Sequence, residues 1–190
     1  SLHDALPICE ASVGEMASAY TTFANGGIRC APLFVTKIED SHGNVIAKFQ
    51  PLMTEVISEV SSYQMIDMLR AVIQGGTGSR LRYAYHLTAD MGGKTGTTNN
   101  NADGWFMGIT PNLVSGCWVG GEDRDIHFDH TSMGQGATMA LPVWAYYMQR
   151  VYADKRLGYS QSTKFTMPAK FNPCQTADTI NVNGIQEEYF

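Results

Sequence analysis

The sequence predicts an α+β fold in which an antiparallel sheet is flanked by helices. Three segments repeat apolar residues at helical spacing, and β-rich runs bounded by turn residues lie between them. Three of these runs follow one another between residues 92 and 120, a spacing typical of an antiparallel meander. With 190 residues, 44% of them hydrophobic and 16% charged, the chain has the composition and length of a globular domain with its own core.

The first helix is predicted in the segment SVGEMASAYTTFANGG. Ser12 and Glu15 have the S-x-x-E spacing of a capping box, which begins a helix. Gly26 and Gly27 end it, because glycine readily leaves the helical backbone conformation. The apolar residues at helical spacing are Met16, Ala19, Tyr20, Phe23 and Ala24.

A hairpin and a second helix are predicted next. Two β-rich runs flank the turn residues Ser-His-Gly-Asn at 41–44, which favours a hairpin. In the segment SSYQMIDMLRAVIQGGTG, Ser61 and Gln64 indicate a capping box, and Gly75 and Gly76 end the helix. The predicted buried stripe of this helix consists of Met65, Met68, Leu69 and Val72.

The chain continues with three strands and a third helix. The strands are predicted at about 92–98, 104–110 and 113–120, and a Thr-Pro-Asn turn joins the last two. The segment ATMALPVWAYYMQRVYAD predicts a helix with Pro142 in its first turn, where proline is tolerated. From residue 155 the apolar periodicity fades, which predicts an extended or partly disordered tail.

The segment GGKTGTT is compatible with either a phosphate-binding loop or a strand beside a substrate cleft. A phosphate-binding loop has the pattern G-x-x-x-x-G-K-[ST], and Gly93, Lys94 and Thr95 match its end. The first glycine of that pattern falls on Thr88, however. The β-branched residues that follow also favour a strand instead of the helix that such a loop opens. The sequence therefore argues against a phosphate site.

On a strand, Lys94 and Gly96 share one face, and Thr95 and Thr97 share the other. Gly96 allows a ligand or another backbone to approach closely. A cation, two hydroxyls and accessible backbone amides suit a substrate that carries a carboxylate next to a reactive carbonyl. The alternative, which these residues alone leave open, is a threonine-rich strand whose lysine extends its ammonium into solvent.

K-T-G is also the third motif of penicillin-binding proteins and serine β-lactamases. Within residues 12–153, four segments resemble class A penicillin-binding proteins in the right order. They are EMASAYTTFANGG, MIDMLRAVIQGGTG, GGKTGTTNNNADGWFMGITPNLVSGCWVGGED and GATMALPVWAYYM. Class A β-lactamases do not share the Trp-Phe-x-Gly-x-Thr-Pro run of the third segment. The resemblance implies a β-lactamase/transpeptidase-like fold, here incomplete.

This resemblance implies an enzyme of peptidoglycan synthesis. The family consists of D,D-transpeptidases, acyltransferases of the serine-type D-Ala-D-Ala carboxypeptidase class. Their partners are stem peptides that end in D-Ala-D-Ala, and β-lactams, which mimic that dipeptide. A serine forms an acyl-enzyme that the amine of a second stem peptide resolves. The implied parent is membrane-anchored through an N-terminal segment, carries a glycosyltransferase domain and acts in the periplasm. No cofactor is expected.

The resemblance also assigns roles to the K-T-G strand. Lys94 and Thr97 are the expected catalytic residues: Lys94 adds positive charge and assists proton transfer, and the Thr97 N–H is one of two oxyanion-hole donors. The hydroxyls of Thr95 and Thr97 are expected to hold the substrate carboxylate. Gly96 and Thr98 complete the expected substrate-binding set.

The nucleophile of this mechanism is expected to lie outside the chain. No serine is followed by a lysine three residues later, and no S-x-N triplet occurs. We therefore interpret residues 12–153 as the C-terminal half of a transpeptidase domain that is inactive alone, and residues 154–190 as a polar tail. Residues 1–11 are unassigned, with a non-native end as one interpretation. The alternative function is a penicillin-recognising sensor domain without turnover.

Other features exclude further classes or leave them as alternatives. A net charge of −5 without a basic block argues against nucleic-acid binding. His127, Asp129 and His130 have ligand chemistry, so a metallo-hydrolase is an alternative, but contiguous loop residues are a weak signal and no metal is assigned. The widely spaced cysteines are expected to be free thiols. The tryptophans are expected in the core or in cleft walls.

Overall fold

The structure is a computed structural model that describes residues 11–123 and 125–172. Its helices and strands are α1 (Val13–Ala24), β1 (Ile28–Cys30), β2 (Lys37–Glu39), β3 (Val45–Lys48), β4 (Met53–Glu55), α2 (Glu59–Gln74), α3 (Arg80–Tyr83), β5 (Gly92–Thr97), β6 (Asp103–Thr110), β7 (Leu113–Gly120), α4 (Thr131–Gly134) and α5 (Gly136–Ala153). Strands β5, β6 and β7 form a three-stranded antiparallel sheet in that order. The predicted α+β class and the predicted meander are confirmed.

Helices cover the two faces of this sheet. On one face α5 packs through Trp144, whose ring meets that of Phe106 edge to face with centroids 5.0 Å apart. Gly108 permits this contact, because a Cβ at that position would overlap the Trp144 ring. On the opposite face α1 lies against β6 and β7, where Val13 packs beside Gly116. Helix α2 packs along β5, so the K-T-G strand is supported from one side by a helix.

The ends of α1 are those predicted from the sequence. The Ser12 hydroxyl accepts from the Glu15 N–H at 3.2 Å, and the Glu15 carboxylate accepts from the Ser12 N–H at 2.8 Å, which completes the capping box. These bonds hold the pKa of Glu15 below its usual value. After the cap residue Asn25, Gly26 and Gly27 adopt φ values of 62° and 95°, which favour glycine and end the helix.

The excursion between α1 and α2 contains two small antiparallel pairs. Strands β2 and β3 form the predicted hairpin, with Gly43 at φ 84° in its turn. Strand β1 pairs with β4, and this pairing was not expected from the sequence. In this pairing Ile28 lies opposite Glu55 and Cys30 opposite Met53, so β1 and β4 join the two ends of the segment that contains the hairpin.

The predicted start of α2 is wrong by one turn. The helix begins at Glu59, and Ser58 is its cap: the Ser58 hydroxyl accepts from the Ser61 N–H at 3.1 Å. Ser61 therefore lies inside the first turn, and the predicted capping box of Ser61 with Gln64 does not form. A run of serines offers several possible caps, and spacing alone does not choose among them.

The predicted buried stripe of α2 is confirmed at Leu69, but Met65 and Val72 are only half-buried and the centre of the buried face is shifted by one residue. The structure buries Ser62, Tyr63, Ile66, Leu69 and Ile73. Met68, assigned to the stripe and to core packing, is 58% exposed. A shift of one residue rotates the buried face by about 100°. Apolar residues occur around much of this helix, so their periodicity is compatible with two neighbouring stripes, and contact with the sheet selects one of them.

Helix α5 does not place Pro142 in its first turn as predicted. The helix begins at Gly136, so Pro142 lies in its interior. Proline there removes one backbone hydrogen bond. The helix nevertheless continues to Ala153, because its inner face is buried in the core through Leu141, Trp144 and Met148.

The described part of the chain after α5 begins with a 3₁₀ turn at Lys155–Leu157 and then packs on the core without further helix or strand. The Gln161 side-chain oxygen accepts from the Thr88 N–H at 2.7 Å, and Phe165 is only 8% exposed. The domain boundary at residue 154 stays a prediction, and residues 1–10 and 173–190 lie outside the described residues. Among the helices that the structure describes, none has the length and apolarity needed to cross a bilayer.

Candidate active site

Strand β5 shows the predicted alternation of side chains. Lys94 is exposed on one face, and Thr95 is buried on the other. The Lys94 ammonium donates to the Thr95 carbonyl at 2.6 Å, so the cation lies along the strand edge. Gly96 lies opposite Trp105 on the neighbouring strand, and a Cβ on Gly96 would come within 3.1 Å of the Trp105 Cβ. The close approach that glycine permits is therefore made by Trp105.

The outer edge of β5 presents backbone groups. Within the described residues β5 pairs with β6 alone. Directly after the strand, the Thr98 N–H donates to the Asp103 carbonyl of β6 at 3.2 Å. Successive residues of a strand direct their N–H groups to opposite sides. The Thr97 N–H therefore points away from β6, toward the open edge, where a ligand could accept its hydrogen.

The two threonine hydroxyls of β5 are each held by a different helix end. The Thr95 hydroxyl lies 2.8 Å from the hydroxyl of Thr77, which follows α2. The Thr97 hydroxyl accepts from the Gly136 N–H, the first residue of α5, at 3.1 Å. A threonine hydroxyl has one hydrogen and two lone pairs. Thr97 therefore keeps its hydrogen for another acceptor.

Gly136 is required for this contact between α5 and β5. A Cβ on Gly136 would overlap the carbonyl oxygens of Gly96 and Trp105, which are backbone atoms and cannot move aside alone. We expect Gly136→Ala to lower the stability of the protein by about 1–3 kcal/mol, the usual cost of overpacking. Thermal unfolding measures this effect, with Gly75→Ala as the control, because a Cβ on Gly75 meets nothing within 4 Å. Equal unfolding temperatures for the two variants would contradict the expected overlap.

An ion pair fixes the chain just before β5. The Arg70 guanidinium on α2 donates to the Asp90 carboxylate at 2.9 Å, and the Asp90 side chain is 6% exposed. The other Asp90 oxygen accepts from the Phe165 N–H at 3.1 Å. Removing one partner of such a pair leaves a buried charge without compensation. The start of the K-T-G strand is therefore tied to both α2 and the C-terminal segment.

A cavity of about 600 Å³ opens on the Lys94 side of the sheet. Of the predicted site residues it contacts Lys94, Thr95, Gly96 and Thr98, and the Thr97 hydroxyl lies at the α5 end instead. Its other lining residues are Ala11, Ser12, Val13, Met16, Tyr20, Asp103, Trp105, Met107 and Trp118. In the part of the chain that the structure describes, the cavity wall is thus mostly apolar, with one cation and one anion. The roles predicted for the K-T-G residues stay predictions.

Two polar groups in the cavity wall, the Tyr20 phenol and the Asp103 carboxylate, are described by their protonation and their hydrogen bonds. Burial raises the pKa of the Tyr20 phenol, so Tyr20 is protonated at neutral pH and offers a hydrogen-bond donor. One Asp103 carboxylate oxygen is buried and has no hydrogen-bond partner among the described residues. Asp103 and Lys94 share a face of the sheet but are four register positions apart, on either side of the Gly96–Trp105 pair.

The remaining sequence-based expectations concern metals, thiols and tryptophans. The residues that the structure describes hold no cluster of three or more His, Cys, Asp or Glu side chains able to bind a metal, so His127, Asp129 and His130 form no such site. In the same part of the chain Cys30 and Cys117 are free thiols, as expected; the other two cysteines lie outside it. Burial raises the pKa of the Cys117 thiol.

The tryptophans lie in the core or in a cleft wall, as predicted. Trp144 is in the core, and Trp105 and Trp118 line the cavity. Trp105 and Trp118 are direct register partners across β6 and β7. The sequence contains the signal for this pairing, because Trp105 and Trp118 are each five residues from Thr110 and Leu113, the pair that flanks the turn. Thr77 and Tyr20 were missed, because no spacing in the sequence links them to the K-T-G strand.

Comparison with known proteins identifies the family. The family described as "Penicillin binding protein transpeptidase domain" matches residues 9–115, more than half of the chain. The chain belongs to this family, and the resemblance to class A penicillin-binding proteins is confirmed.

The most informative relatives are proteins named penicillin-binding protein 1A. The one from Aquifex aeolicus (strain VF5) is 38% identical over 147 residues, 77% of this chain and 19% of the relative. The one from Neisseria gonorrhoeae is 38% identical over 165 residues, 82% of this chain and 20% of the relative. Among solved structures, penicillin-binding protein 1A from Haemophilus influenzae has a TM-score of 0.74 at 26% identity, covering 90% of this chain and 30% of that one. The chain thus spans 19–20% of these two curated relatives.

Proposed function

We propose that this chain contributes the K-T-G wall of a serine D,D-transpeptidase site that crosslinks peptidoglycan. The observation that supports this most is the position of β5. Its open edge and its exposed Lys94 lie beside a cavity of about 600 Å³, and two fixed hydroxyls lie on the same strand. A carboxylate next to a reactive carbonyl, as in a stem peptide ending in D-Ala-D-Ala, matches these groups. β-Lactams offer the same pair of groups.

In this proposal Lys94 acts through its charge and its proton. Among the described residues that line the cavity, it is the one cation. Its ammonium attracts the substrate carboxylate and assists proton transfer from the nucleophilic hydroxyl to the leaving amine. Positioned acid–base groups of this kind contribute about 10²–10⁴-fold to a rate.

The open edge of β5 supplies the oxyanion donor. The Thr97 N–H points away from β6 and is free to donate to the carbonyl oxygen of the scissile bond. Loss of one such donor costs about 10²–10³-fold in rate. The second donor is the N–H of the nucleophile, which the chain does not supply by motif, since it has no S-x-x-K sequence.

The nucleophilic serine therefore belongs to a part of the protein outside residues 1–190. Its oxygen attacks the carbonyl of the penultimate D-Ala, the peptide C–N bond breaks, and the terminal D-Ala leaves with the transferred proton. The amine of a second stem peptide then displaces the serine. We further propose a periplasmic location for the complete protein, a membrane anchor and a glycosyltransferase domain outside this chain, as in class A penicillin-binding proteins.

Labelling by fluorescent penicillin tests the proposal. The complete protein is expected to form an adduct that survives denaturing electrophoresis, and residues 1–190 alone are expected to form none, because they lack the nucleophile. An adduct on the isolated chain would contradict the placement of the serine. No adduct on the complete protein would contradict the transpeptidase assignment.

The absence of S-x-x-K and S-x-N from the chain also suits the second candidate, a penicillin-recognising sensor of the same fold. Turnover separates the two functions. A transpeptidase releases D-Ala from a stem-peptide substrate and transfers the acyl group to an added amine, whereas a sensor binds or is acylated once and releases no D-Ala. Release of D-Ala by the complete protein therefore decides between them.

A further inference from the structure

Asp103 is the one anion in the described part of the cavity wall, and its carboxylate lacks a partner there. One of its carboxylate oxygens is buried and receives no hydrogen bond from the residues that the structure describes. The residue as a whole is half-buried and lines the cavity. Holding a carboxylate out of water without a donor is costly, so such groups are usually paired with a cation. Asp103 can therefore accept hydrogen bonds from a ligand at the cavity wall.

Lys94, the cation of the same wall, does not pair with Asp103. Its ammonium donates to the Thr95 carbonyl at 2.6 Å. Lys94 lies opposite Met107, four positions along β6 from Asp103, which corresponds to about 13 Å. The two charges thus lie in different parts of the wall, where one can meet an anionic group of a ligand and the other a cationic group.

Two indole rings lie close to Asp103. Trp105 and Trp118 are register partners, two positions along the sheet from the pair of Asp103 and Gly120. A Cβ on Gly120 would overlap the Trp118 ring and would lie 2.8 Å from the Asp103 Cβ, so ring and carboxylate side chain meet beside this glycine. Trp118 is 41% exposed. A carboxylate beside aromatic faces suits an organic ammonium, whose charge pairs with the carboxylate and is attracted to the rings.

The distance between Asp103 and the open edge of β5 fits an ammonium on a long side chain. A peptide on that edge would lie two strand spacings from β6, about 10 Å. The cavity wall between them is formed by Gly96 and by Trp105, which lies against it. Stem peptides carry such an amine, because the amine of one stem peptide resolves the acyl-enzyme of another in the proposed reaction.

We propose that Asp103, Trp105 and Trp118 form a subsite for the ammonium-bearing side chain of the stem peptide that donates the acyl group. Asp103 is then a specificity-determining residue for that charge. A carboxylate favours the charged form of an amine, whereas the amine that attacks the acyl-enzyme has to be uncharged. The subsite therefore suits the side chain of the donor peptide and not the attacking amine. The inference rests on the proposed function and extends it to a part of the substrate away from D-Ala-D-Ala.

Donor peptides with and without an ammonium test this subsite in the complete protein. Release of D-Ala is measured from two peptides that end in D-Ala-D-Ala, one with lysine before that dipeptide and one with norleucine, which has an apolar side chain without the ammonium. For Asp103→Asn we expect kcat/KM of the lysine peptide to fall about tenfold, as for loss of a hydrogen bond to a charged group. The value for the norleucine peptide should change little.

Two further variants accompany this measurement. Trp118→Leu should lower the ratio of the lysine value to the norleucine value about two- to fivefold, the range for loss of a cation–π contact. Asp67→Asn is the matched control, because the Asp67 side chain lies on α2 and is 55% exposed, and it should leave both values unchanged.

The ratio of the two kcat/KM values separates substrate binding from structural support. If a donor from a part of the protein outside residues 1–190 occupied Asp103, or if Asp103 only stabilised the fold, both values would fall in parallel, and the unchanged ratio would overturn the inference. Each value is normalised to the fraction of protein that fluorescent penicillin labels, so partial unfolding does not affect the ratio. If Asp103→Asn is not labelled at all, the ratio in Trp118→Leu decides in the same way.

The outcome also distinguishes this inference from the proposed function. Release of D-Ala from both peptides at a wild-type ratio in Asp103→Asn would overturn the subsite and leave the transpeptidase assignment intact. A wild-type protein that releases no D-Ala from either peptide would overturn both.

Discussion

Lys94→Ala in the complete protein is expected to lower the rate of acylation by penicillin about 10²–10⁴-fold, the range for a positioned acid–base group. The expected loss of rate follows from the charges of the residues around Lys94. Lys94 is exposed on the cavity side of β5, and Asp103, the other charged residue in the described part of that wall, has the opposite sign. No second cation lines the wall within residues 11–123 and 125–172 to replace Lys94. The measurement is the pre-steady-state rate of adduct formation with fluorescent penicillin.

Two further variants sharpen this test. Lys48→Ala removes an exposed lysine from the β3 hairpin and is expected to leave the rate unchanged. Lys94→Arg keeps the positive charge but does not release a proton at neutral pH. We therefore expect the arginine variant to retain reversible binding of the carboxylate and to lose acylation. A wild-type acylation rate in Lys94→Ala would refute the role of this lysine.

Trp144→Ala is expected to cause the largest loss of stability, about 3–5 kcal/mol for a buried tryptophan. Its ring is 2% exposed and lies against Phe106, and its indole N–H donates to the Ser115 hydroxyl at 2.8 Å. Gly108 leaves no side chain to fill the space, so the cavity left by the substitution cannot collapse easily. Domains have only about 5–15 kcal/mol of total stability.

The temperature at which the complete protein loses penicillin labelling reports this change. We expect it to fall by about 6–20 °C in Trp144→Ala. Tyr147→Ala on the same helix is the matched control, because Tyr147 is 47% exposed, and it should shift this temperature little. Trp144→Phe should give an intermediate value, since it keeps a ring against Phe106 and loses the bond to Ser115. Equal temperatures for the Trp144 and Tyr147 alanine variants would show that this core does not limit stability.

Local patterns in the sequence predicted the features that depend on neighbouring residues. The capping box of Ser12 and Glu15 formed because both partners lie within one helical turn. The 41–44 turn and the meander from residue 92 to 120 formed because adjacent antiparallel strands need only short turns. The alternation of Lys94 and Thr95 follows from the period of two in any strand.

The sequence-based predictions were wrong where two local arrangements fit the sequence equally well. For α2, stripes through Met68 and through Ile66 both have helical spacing, and only packing against the sheet selected Ile66. The same holds for its start, where Ser58 and not Ser61 became the cap. Pro142 was assigned to the first turn of α5, but it is the seventh residue of a helix that begins at Gly136, and burial of the inner face of the helix outweighs the backbone hydrogen bond that proline removes.

The sequence by itself determined the family and the strand that carries K-T-G, because order, spacing and alternation are properties of a chain. The tertiary structure decided which groups meet that strand. Thr77 reaches Thr95 over 18 residues, Gly136 reaches Thr97 over 39, and Trp105 lies over Gly96 from the neighbouring strand. Such contacts join elements that are far apart in the sequence and that approach each other only when the core packs.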